Sequence, residues 1–415
     1  MRTRVFAAAV AVVALGVVAA TASASGRHTQ ASKITVWLQV DAQSGWPDVV
    51  AAANAQFQKD HPGTTVDVQY QNWGDHLQKF DATLAGGNSP DVIEMGNTEM
   101  TKYMAAGAFA DISSSKSTFD NSGSWLKGLA ASGVYGGKLY GVPYYAGSRV
   151  VTYRTDLYTK AGIKTLPASL AEFTADAKKL AAKNASVKGF SPVYIAGTDW
   201  YFAMSFVYDF GGSIAKTSKG KWQGNLDSPQ SIAGLTAFKS FFATASRASK
   251  TSDENHPAPY DVYSQGGAGS IIGPGWFSCC VGAKFKTTTA QFVMPSHTKG
   301  QAMPGFLGGS DLAIPTTSGN KALAADWLKD FISTSSEKAL QAKGNIPNAT
   351  NLLGTSVNER AATRSWFVPA AKHWVDVENG NILRNMLATI LRGKLTVKQA
   401  AQNASDNIAL VLNGS

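Results

Sequence analysis

The sequence predicts a two-lobed α/β protein in which each lobe is a mostly parallel β-sheet covered by helices. Segments of strand character alternate with helical segments at the spacing typical of such sheets. A chain of 415 residues is too long for one ordinary hydrophobic core and suits two lobes. Hydrophobic residues make up 44% of the chain and charged residues 16%, which excludes a disordered or coiled-coil protein.

The N-terminal segment has the pattern of a secretory signal peptide. Two arginines precede an apolar run from Val5 to Ala20, and small residues end the segment at Ala24. The run is shorter than the roughly twenty residues that a membrane span needs, which argues against a retained anchor. We therefore expect residues 1–24 to be a signal peptide and the protein to be exported to the extracytoplasmic space.

The first part of the chain predicts three strands, each followed by a helix. The predicted strands are 34–38, 64–70 and 90–95, and the predicted helices are 46–59, 76–84 and 99–106. Ligands of such sheets bind beyond the carboxyl ends of the strands. We therefore expect the polar loop 39–45 and the loop 96–99 to face a cleft.

Two extended segments, 138–145 and 150–158, then lead into a helix. Ser169, followed three residues later by Glu172, forms a capping-box pattern that predicts a helix over 170–183. Further helices are predicted over 201–210, 228–244 and 397–412, the last of them opened by a capping box from Thr396 to Gln399.

The order of several motifs resembles the extracellular solute-binding proteins of ABC sugar importers, the maltose-binding-protein-like family. The motifs are Tyr140-Gly-Val-Pro-Tyr144, Tyr153-Arg-Thr-Asp-Leu157, Ala161-Gly-Ile163, Gly211-Gly212 and Gly269-Ser-Ile-Ile-Gly-Pro-Gly-Trp276. The resemblance implies a type II periplasmic-binding-protein fold. One lobe would comprise 33–142 and 311–342, and the other 143–310 and 343–415, so that three chain crossings restrict the lobes to a hinge motion.

The resemblance also implies the function and the partners. The protein would be an extracytoplasmic receptor that closes on an oligosaccharide and delivers it to the permease subunits of an ABC importer, as a monomer without a cofactor. Many relatives carry a lipid-modified cysteine just after the signal peptide. This chain has none there, since its two cysteines are Cys279 and Cys280, and these adjacent residues either form a vicinal disulfide or remain thiols.

The candidate binding residues combine aromatic rings with carboxylates and amides. Sugars present apolar C–H faces and a rim of hydroxyls, which these side chains match. From the first lobe we expect hydrogen bonds from Gln39, Asp41, Asn97 and Glu99. From the second lobe we expect stacking by Tyr145, Trp200 and Trp276, and the remaining candidates are Tyr144, Gly309, Ser310, Asp311, Asn345 and Trp374.

Two alternative functions remain open from the sequence. A secreted glycosidase would need two carboxylates about 5 to 10 Å apart, a separation that a sequence does not measure. A ferric-ion receptor of similar architecture would use neighbouring tyrosines such as Tyr144 and Tyr145, although the six histidines show no convergent spacing. The formal charge of +10 is scattered along the chain, so we expect no nucleic-acid partner.

Overall fold

The computed structural model describes residues 32–254 and 256–414 of the chain. The predicted signal peptide, residues 1–24, lies outside the described residues. Among the residues described, none of the helices combines the length and the apolarity of a membrane span. Strands and helices alternate along the chain, and the buried side chains form two large hydrophobic cores, one in each lobe.

Three parallel strands form one half of the central sheet of the first lobe. Lys33–Gln39 lies between Thr65–Gln71 and Val92–Gly96 and pairs with both in parallel. Their carboxyl ends therefore lie at one edge, as the sequence predicted. The segment after the first strand, predicted as a loop, is instead the short helix Val40–Gly45, whose Ala42 is buried in the first-lobe core.

Three later segments complete this sheet from the opposite direction. Gly308–Ala313 pairs antiparallel with Val92–Gly96 on one side and with Gly141–Gly147 on the other. Ile346–Pro347 then pairs antiparallel with Gly141–Gly147 at the sheet edge. The six-stranded sheet is thus parallel only in its N-terminal half, because Gly308–Ala313 brings the chain back from the second lobe. The strand at 346–347 is part of this sheet, and Ala349 is buried in the hydrophobic core beside it. The lobe boundary at 342 stays a prediction.

Helices distant in sequence pack together over this sheet. Pro47–Asp60 lies against Lys321–Phe331, where the Trp327 Nε1–H donates a hydrogen bond of 2.8 Å to the Asn54 Oδ1. The other helices of this lobe are His76–Gly86, Met100–Ala105, Lys127–Ser132 and Thr334–Ala342.

The second lobe is built on Arg149–Arg154, which runs away from the first lobe. Ser270–Pro274 and Thr289–Phe292 pair with it on either side, both antiparallel. Here the structure differs from the predicted parallel sheet, because Ser270–Pro274 returns toward the crossing and so runs opposite to Arg149–Arg154. Parallel pairing in this region is found at isolated bridges such as Tyr194 with Ile271.

Helices surround the second-lobe core, which is rich in phenylalanine. Phe202, Phe206 and Phe238 are almost fully buried there and contact one another edge to face. The helices of this lobe are Thr155–Lys160, Leu170–Lys183, Trp200–Asp209, Pro229–Ala245, Pro259–Ser264, Phe277–Cys280, Val357–Ala362, Trp374–Asn379, Ile382–Arg392 and Val397–Leu412.

The two predicted capping boxes differ in how completely they form. Thr396 Oγ1 accepts the Gln399 N–H at 3.2 Å, and the Gln399 Oε1 accepts the Thr396 N–H at 3.1 Å, which completes the box. Ser169 accepts the Glu172 N–H at 3.2 Å, but the Glu172 carboxylate accepts the N–H of Ala168 instead. At Ser169 one of the two hydrogen bonds of the capping box is enough, since the helix still begins at the predicted residue, Leu170.

Replacing Thr396 by alanine is expected to lower the free energy of unfolding by about 1 kcal/mol, because the Gln399 N–H loses its acceptor. Thr396→Ser is the matched control, since it keeps the hydroxyl. Urea denaturation followed by circular dichroism measures both variants. Equal stability of the alanine and serine variants would show that the cap contributes nothing.

Candidate functional site

A pocket of about 190 Å³ lies where the chain crosses between the lobes. The strands Gly141–Gly147, Gly308–Ala313 and Ile346–Pro347 run side by side beneath it. Its walls come from both lobes and from these crossings: Trp73, Tyr145, Ala146, Gly147, Ser148, Arg149, Pro274, Trp276, Gly308, Gly309, Ser310, Gly344, Asn345 and Asn358. The predicted residues brought together here are Tyr145, Trp276, Gly309, Ser310 and Asn345.

A β-bulge in the first crossing sets the orientation of two neighbouring tyrosines. Ser310 pairs with Tyr145 and Asp311 pairs with Pro143, so Tyr144 has no partner across the strands. Successive side chains of a regular strand point to opposite faces, and a bulge changes that alternation. Both tyrosine rings accordingly contact Trp46. The centroid of the Trp46 ring lies 6.4 Å from that of Tyr144 and 5.1 Å from that of Tyr145.

The two tyrosines nevertheless have different environments. Tyr144 is fully buried in the first-lobe core, and its hydroxyl accepts a hydrogen bond of 2.6 Å from the Trp46 Nε1–H. Its placement among the predicted ligand contacts is therefore corrected, because the core covers its whole ring. Tyr145 lines the pocket. Burial raises the pKa of both hydroxyls well above 10, so both remain protonated near neutral pH.

Trp73 forms the first-lobe wall of the pocket, with 40% of its surface exposed. Its Nε1–H donates a hydrogen bond of 2.5 Å to the Asp41 Oδ2. Its backbone carbonyl lies 3.1 Å from the His76 Nδ1, and the His76 Nε2 lies 2.9 Å from the Glu99 Oε2. Asp41 thus holds Trp73 directly, and Glu99 holds it through His76. Both carboxylates are among the predicted binding residues.

The predicted first-lobe amides are buried and bond within the protein. Gln39 is 1% exposed, and its Nε2–H donates to the Glu94 carbonyl at 3.4 Å. Asn97 is 3% exposed, and its Nδ2–H donates to the Leu307 carbonyl at 3.1 Å. Neither residue lines the pocket, so the structure assigns them to holding strand ends together rather than to the pocket wall where we predicted them.

Trp276 forms the opposite wall, on the second lobe, with 42% of its surface exposed. It follows the strand Ser270–Pro274, and its ring contacts Phe277 edge to face at 4.8 Å. The Gln291 Nε2–H donates to the carbonyl of Gly275 at 2.8 Å and fixes the turn before the indole. A β-carbon on Gly275 would lie 2.6 Å from the Asn358 side chain, so this close approach requires glycine.

Trp200 and Trp374 are only 3% and 1% exposed, and both belong to the second-lobe core. Trp200 stacks on Tyr201 with ring centroids 3.9 Å apart, and the Trp374 Nε1–H donates to the Glu378 Oε1 at 2.5 Å. Neither indole lines the pocket between the lobes, which corrects the predicted roles of both. The predicted helix begins at 201, which leaves Trp200 in a loop at the cleft, but Trp200 is the first residue of the helix Trp200–Asp209 and its side chain is buried.

Arg149, which the sequence analysis did not single out, lies at the start of the strand that leaves the pocket. Its guanidinium group is 3.5 Å from the Asp199 Oδ1 and lies over the Tyr201 ring at 4.5 Å. The Nε of Arg149 has no hydrogen-bond partner among the described residues, although it is buried. An unused buried donor beside the pocket can bind a polar group of a ligand.

Asp311 is fully buried in the crossing and does not line the pocket, contrary to the prediction. The Ser132 Oγ lies 2.6 Å from both the Asp311 Oδ2 and the Leu129 carbonyl. One hydroxyl proton serves only one of these acceptors, so a protonated Asp311 completes the arrangement by donating to Ser132. Burial raises the pKa of the Asp311 carboxyl to about 8, in agreement with this assignment.

The two lobes also touch beyond the pocket. The Thr98 Oγ1, at the carboxyl end of a first-lobe strand, donates a long hydrogen bond of 3.5 Å to the Glu378 Oε2 of the second lobe. Burial raises the pKa of Glu378 to about 7, while bonds from Trp374 and Thr98 favour its charged form.

The described residues hold no group of three or more histidine, cysteine, aspartate or glutamate side chains that could bind a metal ion. Cys280 ends the four-residue helix Phe277–Cys280 and is exposed. A bridge between Cys279 and Cys280 stays a prediction.

Comparison with known proteins identifies the family. A family model described as bacterial extracellular solute-binding protein matches residues 38–338. The chain belongs to this family. A solute-binding protein of Streptomyces coelicolor, named diacetylchitobiose binding protein DasA, is 32% identical to it over 381 residues, which cover 89% of this chain and 87% of the relative. The resemblance seen in the sequence is thereby confirmed.

Solved structures of other solute-binding proteins share the fold. The GacH receptor of Streptomyces glaucescens has a TM-score of 0.77 and 20% identity, over 92% of this chain and 98% of the receptor. The sugar-binding protein MalE of Xanthomonas citri has a TM-score of 0.77 and 18% identity, over 92% of this chain and 97% of MalE. These similarities confirm the predicted two-lobed periplasmic-binding-protein fold.

The buried carboxyl of Asp311 makes the stability of this solute-binding protein depend on pH. Its pKa is about 8 when folded and near 3.8 when exposed, so its contribution is fully present below about pH 4 and is lost as the pH rises to about 8. Asp311→Asn keeps the shape without the titration. The variant should gain melting temperature relative to wild type as the pH rises from 4 to 8. A constant difference over that range would contradict a raised pKa at Asp311.

Proposed function

We propose that this solute-binding protein is the oligosaccharide receptor of an ABC importer, which closes by hinge motion on a sugar held between its lobes. The observation that carries the proposal is the pair of half-exposed indoles, Trp73 and Trp276, which line one pocket from opposite lobes. Large aromatic side chains are usually buried in the core of a monomer. Exposed indoles on facing walls suit the two apolar faces of a sugar ring.

The mechanism of binding follows from the placement of the two indoles on different lobes. A sugar contacts both rings only when the lobes have come together, so it stabilises the closed form and shifts the population toward it. The closed form then presents both lobes to the permease in one fixed arrangement. The hydrogen bond from Thr98 to Glu378 joins the lobes on a second side of the cleft.

Polar groups around the indoles are suited to sugar hydroxyls. Asn358 is held in place, since its Oδ1 accepts the Ser148 N–H at 3.3 Å and its Nδ2–H donates to the Gly344 carbonyl at 2.9 Å. The Ser148 Oγ and the Arg149 Nε have no partner among the described residues. We assign these groups, with Asn345, to hydrogen bonds with the ligand.

The relatives suggest the kind of sugar. DasA is named for diacetylchitobiose, the GacH structures include complexes with acarbose, and MalE is described as a sugar-binding protein. We propose a short oligosaccharide as the ligand and diacetylchitobiose as the first candidate, because DasA is 32% identical to this chain. The proposal includes export after removal of residues 1–24 and action as a monomer.

We propose capture without hydrolysis. Carboxylates near the cleft are engaged by donors: Asp41 by Trp73, Glu378 by Trp374, and Asp199 by Arg149. Among the described residues, no aspartate or glutamate lines the pocket, whereas a glycosidase places two carboxylates across the scissile bond. Incubation of the protein with diacetylchitobiose, maltose and lactose should yield no product by mass spectrometry, and release of monosaccharide would contradict the proposal.

Alanine substitution of either indole tests the site. Trp73→Ala and Trp276→Ala should each weaken sugar binding by about tenfold or more, or about 1.4 kcal/mol, because a ring face loses its stacking partner. Isothermal titration calorimetry with a sugar panel measures the affinities. Leu410→Ala is the control, since Leu410 is 54% exposed on the C-terminal helix. Unchanged affinity in both tryptophan variants would place the ligand elsewhere.

A further inference from the structure

His76 lies directly behind the Trp73 wall of the pocket. It is the first residue of the helix His76–Gly86 and is only 1% exposed. Its ring meets the Trp73 indole edge to face, with ring centroids 5.2 Å apart and an angle of 86° between the planes. Any change in His76 therefore acts on the indole that the pocket exposes.

Both ring nitrogens of His76 face hydrogen-bond acceptors. Nδ1 lies 3.1 Å from the Trp73 carbonyl oxygen, which can only accept. Nε2 lies 2.9 Å from the Glu99 Oε2, which also accepts the Gly96 N–H at 2.8 Å. With Glu99 as a carboxylate, both nitrogens donate in this geometry. Neutral imidazole has one N–H, whereas imidazolium has two.

We propose that His76 is held as an imidazolium ion that positions Trp73, so that loss of its proton loosens the indole and weakens ligand binding by the cleft. His76 is a positioning residue, because it acts on the ligand only through Trp73. The effect on affinity rests on the proposed sugar-binding function, whereas the protonation state and its effect on Trp73 do not.

The groups around His76 favour its charged form. Burial by itself lowers the pKa of His76, but the hydrogen bond and charge of Glu99, the Trp73 carbonyl and the charge of Glu94 together raise that pKa above 6.5. Burial raises the pKa of Glu94 to about 7, so its charge develops only near neutral pH.

Other charged groups nearby are already paired. On the same helix, Lys79 forms an exposed ion pair of 3.0 Å with Asp75. Lys102, on the helix Met100–Ala105, lies 3.4 Å from Asp81. Asp41 is bound to the Trp73 Nε1–H. Glu99 is therefore the one carboxylate in direct contact with the His76 ring among the described residues.

Deprotonation has a defined structural consequence. When one N–H is lost, the lone pair of that nitrogen faces either the Trp73 carbonyl or the Glu99 carboxylate, and the two repel. The turn before the helix, closed by the His76 N–H to the Asn72 carbonyl at 3.0 Å, then loses one of its side-chain anchors. The Asp41 contact remains, so the indole becomes looser without leaving the cleft.

The test combines two measurements on the mature protein. Side-chain ¹⁵N NMR of labelled histidine and tryptophan, from pH 5.5 to 9, follows the His76 ring and the Trp73 indole. Calorimetry over the same range follows the dissociation constant for diacetylchitobiose. We expect imidazolium at pH 6.5, a shift of the Trp73 signal with the same midpoint as His76, and affinity about three- to tenfold weaker above that midpoint, as for one lost hydrogen bond.

Two variants complete the test. His76→Gln should remove the change in affinity that follows the His76 midpoint, whereas His256→Gln should keep it, because His256 is 83% exposed at the side chain. If His76→Gln does not fold, the coincidence of the NMR and affinity midpoints in the wild type decides. Neutral imidazole at pH 6.5, a Trp73 signal that ignores the His76 titration, or an unchanged pH dependence in folded His76→Gln would overturn the proposal. A coupled Trp73 signal without binding of any sugar in the panel overturns the proposed function alone.

Discussion

The close pairing of the crossing strands is the constraint on which the rest of the molecule depends. A β-carbon on Gly309 would lie 2.0 Å from the Tyr145 carbonyl oxygen, so the two strands approach as only glycine permits. Because of the bulge beside this contact, Tyr144 lies in the first-lobe core and Tyr145 lines the pocket. This strand pairing fixes where the two walls of the pocket meet, and in the proposed function it restricts the lobes to a hinge motion.

The side chains of the cleft meet two different requirements. Its indoles are exposed to water, unlike the side chains of a hydrophobic core, and lobe closure on a ligand can bury them. Its carboxyl groups instead make bonds that fix side chains, as Asp41 does for Trp73 and Glu378 for Trp374. In the proposed function, affinity comes from apolar surface that is buried when the lobes close, and the polar network holds that surface in place beforehand.

The sequence predicted the secondary structure better than it predicted the site. The helices Leu170–Lys183 and Val397–Leu412 begin at the predicted residues because N-capping is a local interaction that a few neighbouring residues determine. Trp276 and Tyr145 lie at the pocket as expected. Trp200 and Trp374 do not, since whether an indole turns inward depends on partners far along the chain. Trp73 could have been predicted at the cleft, because it comes just after a parallel strand. The position of Arg149 could not, because it depends on Asp199 and Tyr201, which only the fold brings beside it.

A crystal structure of the protein with its tightest-binding sugar shows whether both lobes hold the ligand. We expect one sugar between Trp73 and Trp276, with ring faces stacked on indoles from both lobes and with the lobes closer together than without ligand. Electron density for the sugar on a single lobe, or outside the crossing strands, would contradict this expectation.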